Sequence, residues 1–89
     1  MRIGQERVTR HNAREVKESV LAAVARGDDV LDFEGVAVVD SSAVSLVLSW
    51  RRRLQAQGRT PCLVNVPPKL GDLSRLYGLE GLVEPSMTE

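Results

Sequence analysis

The chain has 89 residues, 43% of them hydrophobic and 27% charged, and its twelve Lys and Arg are balanced by twelve Asp and Glu. That is room for one domain, spanning 1–89, whose core buries only about 60–65% of the surface an unfolded chain exposes, so a partner would help its stability. Ordinary hydrophobicity argues against disorder, the absence of a basic excess argues against nucleic-acid binding, and one cysteine with one histidine leaves neither a disulfide framework nor a zinc site.

Met1 to Glu6 contains no apolar leader core, and no apolar stretch approaches the roughly 20 residues of a membrane span, so the expectation is a soluble, cytoplasmic chain. Arg2 to Glu6 reads as a short strand. Thr9, three residues before Asn12, is a helix-start signal. From Asn12 to Arg26, Ala13, Val16, Val20, Ala23 and Val24 recur at spacings of three and four, one face of a helix that Gly27 closes.

Val30 to Phe33 is a strand, and Val36 to Val39 continues its apolar run beyond Glu34-Gly35. At Asp40-Ser41-Ser42 the period changes: Val44, Val47, Leu48, Arg51 and Leu54 fall at helical spacing until Gly58. Pro61 to Val66 is a further buried-type strand. Pro67-Pro68 opens a third helix with Leu70, Leu73, Leu76 and Tyr77 inward and Gly78 as its stop. Leu82-Val83 reads as a last edge strand, closed by Pro85. Strands alternating with helices imply parallel pairing, right-handed crossovers and helices on one face of the sheet.

The second helix carries the most information. At about 100° per residue, Val44, Val47, Leu48 and Leu54 form the stripe needed to cover a sheet, and Ala43, Leu46 and Trp50 widen it beyond the usual width. Leu46 and Trp50 are surplus: either the first helix covers them, or they form an exposed patch for a partner, where Trp tends to matter energetically. Arg51 points toward the stripe, with its stem along apolar surface. The run Arg51-Arg52-Arg53 is spread over different helix faces and reads as solvated surface rather than a nucleic-acid stripe.

Asp40, Ser41 and Ser42 stand where a strand's C-terminal end meets a helix start, the usual place for sites in open α/β sheets. Capping of the free helix N–H groups would account for them at about 1 kcal/mol. The alternative is that one serine is a contact or modification site. A phosphate there would suit the helix dipole yet put a bulky dianion on a docking surface beside Asp40. No base is adjacent to either serine, and neither a Gly-x-Ser-x-Gly elbow nor a Gly-rich phosphate loop is present, so no enzyme and no cofactor are expected. His11 reads as a helix-entry residue, Asp28-Asp29 as a turn and Cys62 as a small strand residue.

Val30-Leu31-Asp32-Phe33 followed by Val39-Asp40-Ser41-Ser42-Ala43-Val44 resembles the central signature of STAS domains, in which a strand leads through Asp-Ser/Thr-Ser/Gly-Gly into a helix. Leu73-Ser74-Arg75-Leu76-Tyr77-Gly78-Leu79, with Leu82 to Pro85, is similar to the MlaB-like STAS subunit of bacterial Mla phospholipid transport. The resemblance runs from about Thr9 to Pro85. It implies a STAS-like (SpoIIAA-like) α/β fold with a mixed, mostly parallel sheet and helices packed on one face. It also implies a non-catalytic role, docking on the ATPase subunit (MlaF-like) of an ABC transporter, with membrane contact only through that partner. Carried onto this sequence, the docking residue is Ser41. The expected partner-binding set is Asp40, Ser41, Ser42, Ser45, Leu46, Ser49 and Trp50. In the other large branch, the anti-sigma factor antagonists, the residue matching Ser41 is phosphorylated. A homodimer through the Leu46–Trp50 face is a third expectation. Two departures stand out: Ala43 replaces the usual Gly, and the family's opening antiparallel pair leads to the expectation that the first strand is missing here.

Overall fold

The computed structural model describes residues 1–76. Its elements, in order, are β1 (Arg7–Val8), α1 (Ala13–Ala25), β2 (Val30–Asp32), β3 (Val38–Val39), α2 (Ser41–Ala56), β4 (Cys62–Val64) and α3 (Pro68–Leu76). The expected helix stop at Gly78, the inward Tyr77 and the strand at Leu82-Val83 lie outside the described residues.

Every strand pair among the described residues is parallel: β1 with β3, β2 with β4, and an isolated bridge between Arg2 and Asp32. The bridge shows that the two pairs belong to one layer. Arg2 lies opposite Asp32 and Arg7 opposite Val38, so five steps along the opening segment match six along its neighbour. The extra residue is taken up in the Phe33–Val36 turn, where the Val36 N–H donates to the Phe33 carbonyl at 3.0 Å and Gly35 has φ 86°. β2 and β3 are therefore two parts of one interrupted central strand, with the opening segment on one side and β4 on the other. The expected strand over Arg2 to Glu6 is correspondingly broken. Only Arg2 bridges, Gly4 has φ 76°, and regular pairing begins at Arg7.

Both crossovers step in the same direction across this layer, and α1 and α2 pack against each other, as expected of right-handed parallel connections. α2 packs against α1 on one side and α3 on the other. Leu31 and Leu63, paired in register, are fully buried beneath the helices, as is Val8. On the opposite face Val30 and Val38 are 39% and 38% exposed, so the sheet is apolar chiefly on its helix side.

The helix ends follow their glycines. Gly27 and Gly58 have φ of 96° and 71°. The N–H of Gly27 donates to the Val24 carbonyl and that of Asp28 to Ala23; the N–H of Gly58 donates to Gln55 and that of Arg59 to Leu54. Both are Schellman closures, which satisfy carbonyls the last turn leaves open. Arg59 then ties the two ends together: its guanidinium pairs with Asp29 and donates to the Val24 carbonyl at 2.9 Å. α3 begins at Pro68, and its buried Ser74 donates to the Leu70 carbonyl at 2.9 Å.

Leu46 and Trp50 are each 2% exposed. The expectation that they form an exposed partner patch is corrected by the position of α1, which lies along that side of α2 and contributes Val16, Val20 and Val24 to the same core cluster. The wide apolar stripe of α2 reflects a helix with neighbours on two sides as well as a sheet below. A homodimer through the Leu46–Trp50 face has no surface there to use. Trp50 is the only tryptophan, so its fluorescence reports the point: the folded protein should emit at short wavelength and resist iodide quenching. Solvent-like emission from the native state would contradict the packing. Trp50→Ala should cost about 3–5 kcal/mol in urea unfolding.

Candidate functional site

The C-terminal ends of β1 and β3 lie side by side, and both chains turn there into helices. β1 leaves through Thr9 to Asn12. In that turn the Asn12 side chain accepts from the Thr9 N–H at 3.0 Å and donates to the Arg7 carbonyl at 2.9 Å. Thr9 therefore acts as a turn residue rather than a helix cap: its carbonyl accepts from Asn12 and Ala13, and its hydroxyl accepts from the His11 N–H.

β3 leaves through Asp40, whose extended backbone makes it the N-cap of α2. One carboxylate oxygen accepts from the Ser42 N–H at 2.8 Å, and the other accepts from the Arg10 N–H at 3.0 Å. Asp40 is thus both the cap of α2 and the latch that holds the β1–α1 turn against it. Partial burial opposes ionisation of this carboxyl. The amides of Arg10 and Ser42, the Ser42 hydroxyl and the nearby Arg10 charge outweigh that opposition and keep it below the usual carboxylate range.

Capping accounts for Asp40, and the Ser42 hydroxyl is engaged with the same carboxylate. Ser41 is different. It is exposed, and its hydroxyl makes no hydrogen bond among the described residues. From it runs a row of hydroxyls on the α1 side of α2. Ser42, Ser45 and Ser49 form one wall of a groove of about 290 Å³, with Leu46 at its floor and Ala13, Arg14 and Lys17 of α1 opposite. The site residues read from sequence therefore divide. Asp40, Ser41, Ser42, Ser45 and Ser49 come together at the tip and along the shoulder of α2. Leu46 contributes only to the groove floor, and Trp50 lies in the core. Arg14 and Lys17, to which the sequence reading gave no role, complete the groove. Their spacing of three, one step outside the apolar stripe of α1, is the signal that could have marked them.

The arrangement is that of a small parallel α/β domain with a polar, hydroxyl-rich surface at the carboxyl ends of its strands, which is where such sheets present their sites. Residues 5–84 match the family described as Mlab, STAS domain. The chain belongs to that family of MlaB-like STAS domains. No curated protein and no solved structure matches it. No helix among the described residues is long and apolar enough to cross a membrane.

The Asp40 latch makes a pH prediction. A carboxyl whose folded pKa is depressed adds stability above its unfolded pKa, near 3.9, and that stability is lost as pH falls through the folded value. Unfolding free energy should therefore decline below about pH 5. Asp40→Asn, which keeps a side-chain acceptor, should flatten part of that decline, with the rest carried by Asp32, whose carboxyl is held low by the Asn65 amide and the Glu34 N–H, and by Asp28, held low by the N-terminal ammonium and the Val30 N–H. Asp40→Ala should cost about 1–2 kcal/mol at neutral pH. A pH profile identical in wild type and Asp40→Asn would contradict the latch.

Proposed function

We propose that this chain is a non-catalytic docking subunit that binds, and stabilises or activates, the ATPase of an Mla-type phospholipid ABC transporter. On this reading it works in the cytoplasm and reaches the inner face of the membrane only through that partner. The observation that carries the reading is Ser41: the first residue of α2, exposed, with an uncommitted hydroxyl, set beside a rigidly hydrogen-bonded Asp40 in a chain of the MlaB-like family. A nucleophilic role for Ser41 would need a base within hydrogen-bond reach. The neighbouring carboxylate is occupied by two backbone amides and the Ser42 hydroxyl. What Ser41 offers is a small donor and acceptor at the front of a fixed helix, which suits recognition.

The exposed hydroxyl also favours a second reading, an anti-sigma factor antagonist switched by phosphorylation at Ser41. A phosphate at the first helical position is favoured by the helix N-terminus.

The two readings separate with purified full-length chain and the purified ATPase subunit of the same organism's phospholipid ABC transporter. Under the docking reading, Ser41→Arg and Ser41→Asp should weaken binding at least tenfold, about 1.4 kcal/mol, without lowering the unfolding midpoint, because Ser41 contributes nothing to the core. Full affinity in both variants would overturn the assignment of Ser41 as the contact. A phosphate located on Ser41 in protein isolated from cells, together with no affinity for the ATPase, would favour the second reading.

A further inference from the structure

We infer that the α1–α2 groove receives an acidic segment of the docking partner, with Arg14 and Lys17 as its charge-reading residues. The inference rests on the docking reading above and adds the chemistry of the surface that must meet this chain.

The case begins with how charge is distributed. The whole chain is neutral, yet no carboxylate lines the groove, whose only charged side chains are Arg14 and Lys17. Both are exposed, and among the described residues neither forms an ion pair or a side-chain hydrogen bond. The acidic Glu15 lies on the other side of α1, in a separate depression with Ile3, Gln5 and Val16. Glu18, exposed one turn beyond Arg14, does not line the groove either. Cations gather on the flank that faces Ser42, Ser45 and Ser49.

The hydroxyl wall fits the same occupant. The Ser45 and Ser49 hydroxyls can donate to carboxylates and add no competing charge, and the small size of the serines keeps the groove open. Arg14 and Lys17 are one helical turn apart, so two carboxylates spaced by a turn on a partner helix, or two residues apart on an extended strand, can meet both at once. Beneath them Leu46 gives an apolar floor for the stem of a Glu or Asp. The groove begins at the α2 tip, next to Ser41, so a partner that touches Ser41 is already aligned to lay its next segment along it. Charges placed this way would act chiefly on the rate of encounter and on partner choice.

The test uses the full chain against the same purified ATPase subunit, titrated at 50 and 300 mM NaCl. Wild-type affinity should fall with salt. Arg14→Glu/Lys17→Glu should lose about thirtyfold or more at low salt and most of the salt dependence, and Arg14→Gln/Lys17→Gln, which adds no like-charge pair with Glu18 and should keep the unfolding midpoint, should lose part of both. A control of equal charge change on exposed residues outside the groove and off α2, Arg7→Glu/Lys69→Glu, should stay within about threefold. Partial recovery of the reversed variant by Glu→Lys changes on the ATPase would support the pairing directly. Wild-type binding that the reversed pair leaves unchanged would overturn this inference and leave the docking reading standing. Absence of any wild-type binding would overturn the docking reading and this inference with it. Unchanged affinity for the ATPase, together with lost binding to vesicles containing anionic phospholipid, would assign the two cations to a membrane surface instead.

Discussion

The Asp40 carboxylate is the constraint on which the functional end of the molecule depends. Its two oxygens accept from amides thirty and two residues away, Arg10 and Ser42. Both bonds form together only if β1 and β3 are held in the register that sets Val8 opposite Val39. The Asp40 N–H closes the same joint by donating to the Val8 carbonyl. Strand register, the entry turn of α1 and the first turn of α2 therefore become one rigid unit, and the direction in which Ser41 faces is a consequence of it. A capping residue alone would orient one helix; this one also fixes the distance between two.

That joint changes what kind of surface α2 can offer. With α1 on one side and α3 on the other, the apolar residues of α2 from Ala43 to Leu54 are consumed in internal packing. What remains toward solvent is Ser41, Ser45, Arg52, Arg53, Gln55 and Ala56, with Ser42 and Ser49 half-buried on the shoulder. A surface of hydroxyls flanked by cations has little apolar area to remove from water. Its affinity must come from hydrogen bonds, charge and preorganisation more than from hydrophobic burial. The rigidity supplied by Asp40 is then a functional property, because a preorganised polar surface has less freedom to lose on binding.

The alternation of elements, the helix stops at Gly27 and Gly58 and the opening of α3 at Pro68 were all legible in the sequence, because each rests on a local backbone property that no tertiary contact needs to supply. So was the family, carried by the Asp40-Ser41-Ser42 junction together with the sequence from Leu73 to Pro85. The central strand was less so. Val36 to Val39 reads as one continuous apolar run, but the Phe33–Val36 turn absorbs a residue and leaves only Val38–Val39 paired. That outcome depends on the register of a strand thirty residues upstream. Thr9 looked like a cap and proved to be part of a turn organised by Asn12, whose side chain reaches back to Arg7. The largest ambiguity was Leu46 and Trp50. Helical periodicity says which side of a helix they occupy, but an apolar flank looks the same whether its neighbour is another helix of the same chain or a different protein. The burial that decides it is a property of the α1–α2 packing, not of either segment.

The same packing ties recognition to stability in a specific way. The groove walls belong to two helices, and the separation of those walls is set by what lies under them, the buried side chains of Leu46 and Trp50 against Val16, Val20 and Val24. A change that shrinks this layer draws the helices together and narrows the space between the serine row and Arg14 and Lys17, even though it touches no groove residue except Leu46. Close-packed interiors transmit such displacements rather than absorbing them. Among the described residues there is one core cluster and no second layer of helices to buffer it, so the residues that hold the fold and those that shape the surface cannot vary independently. Leu46, at once part of the core and the floor of the groove, is where the two requirements meet.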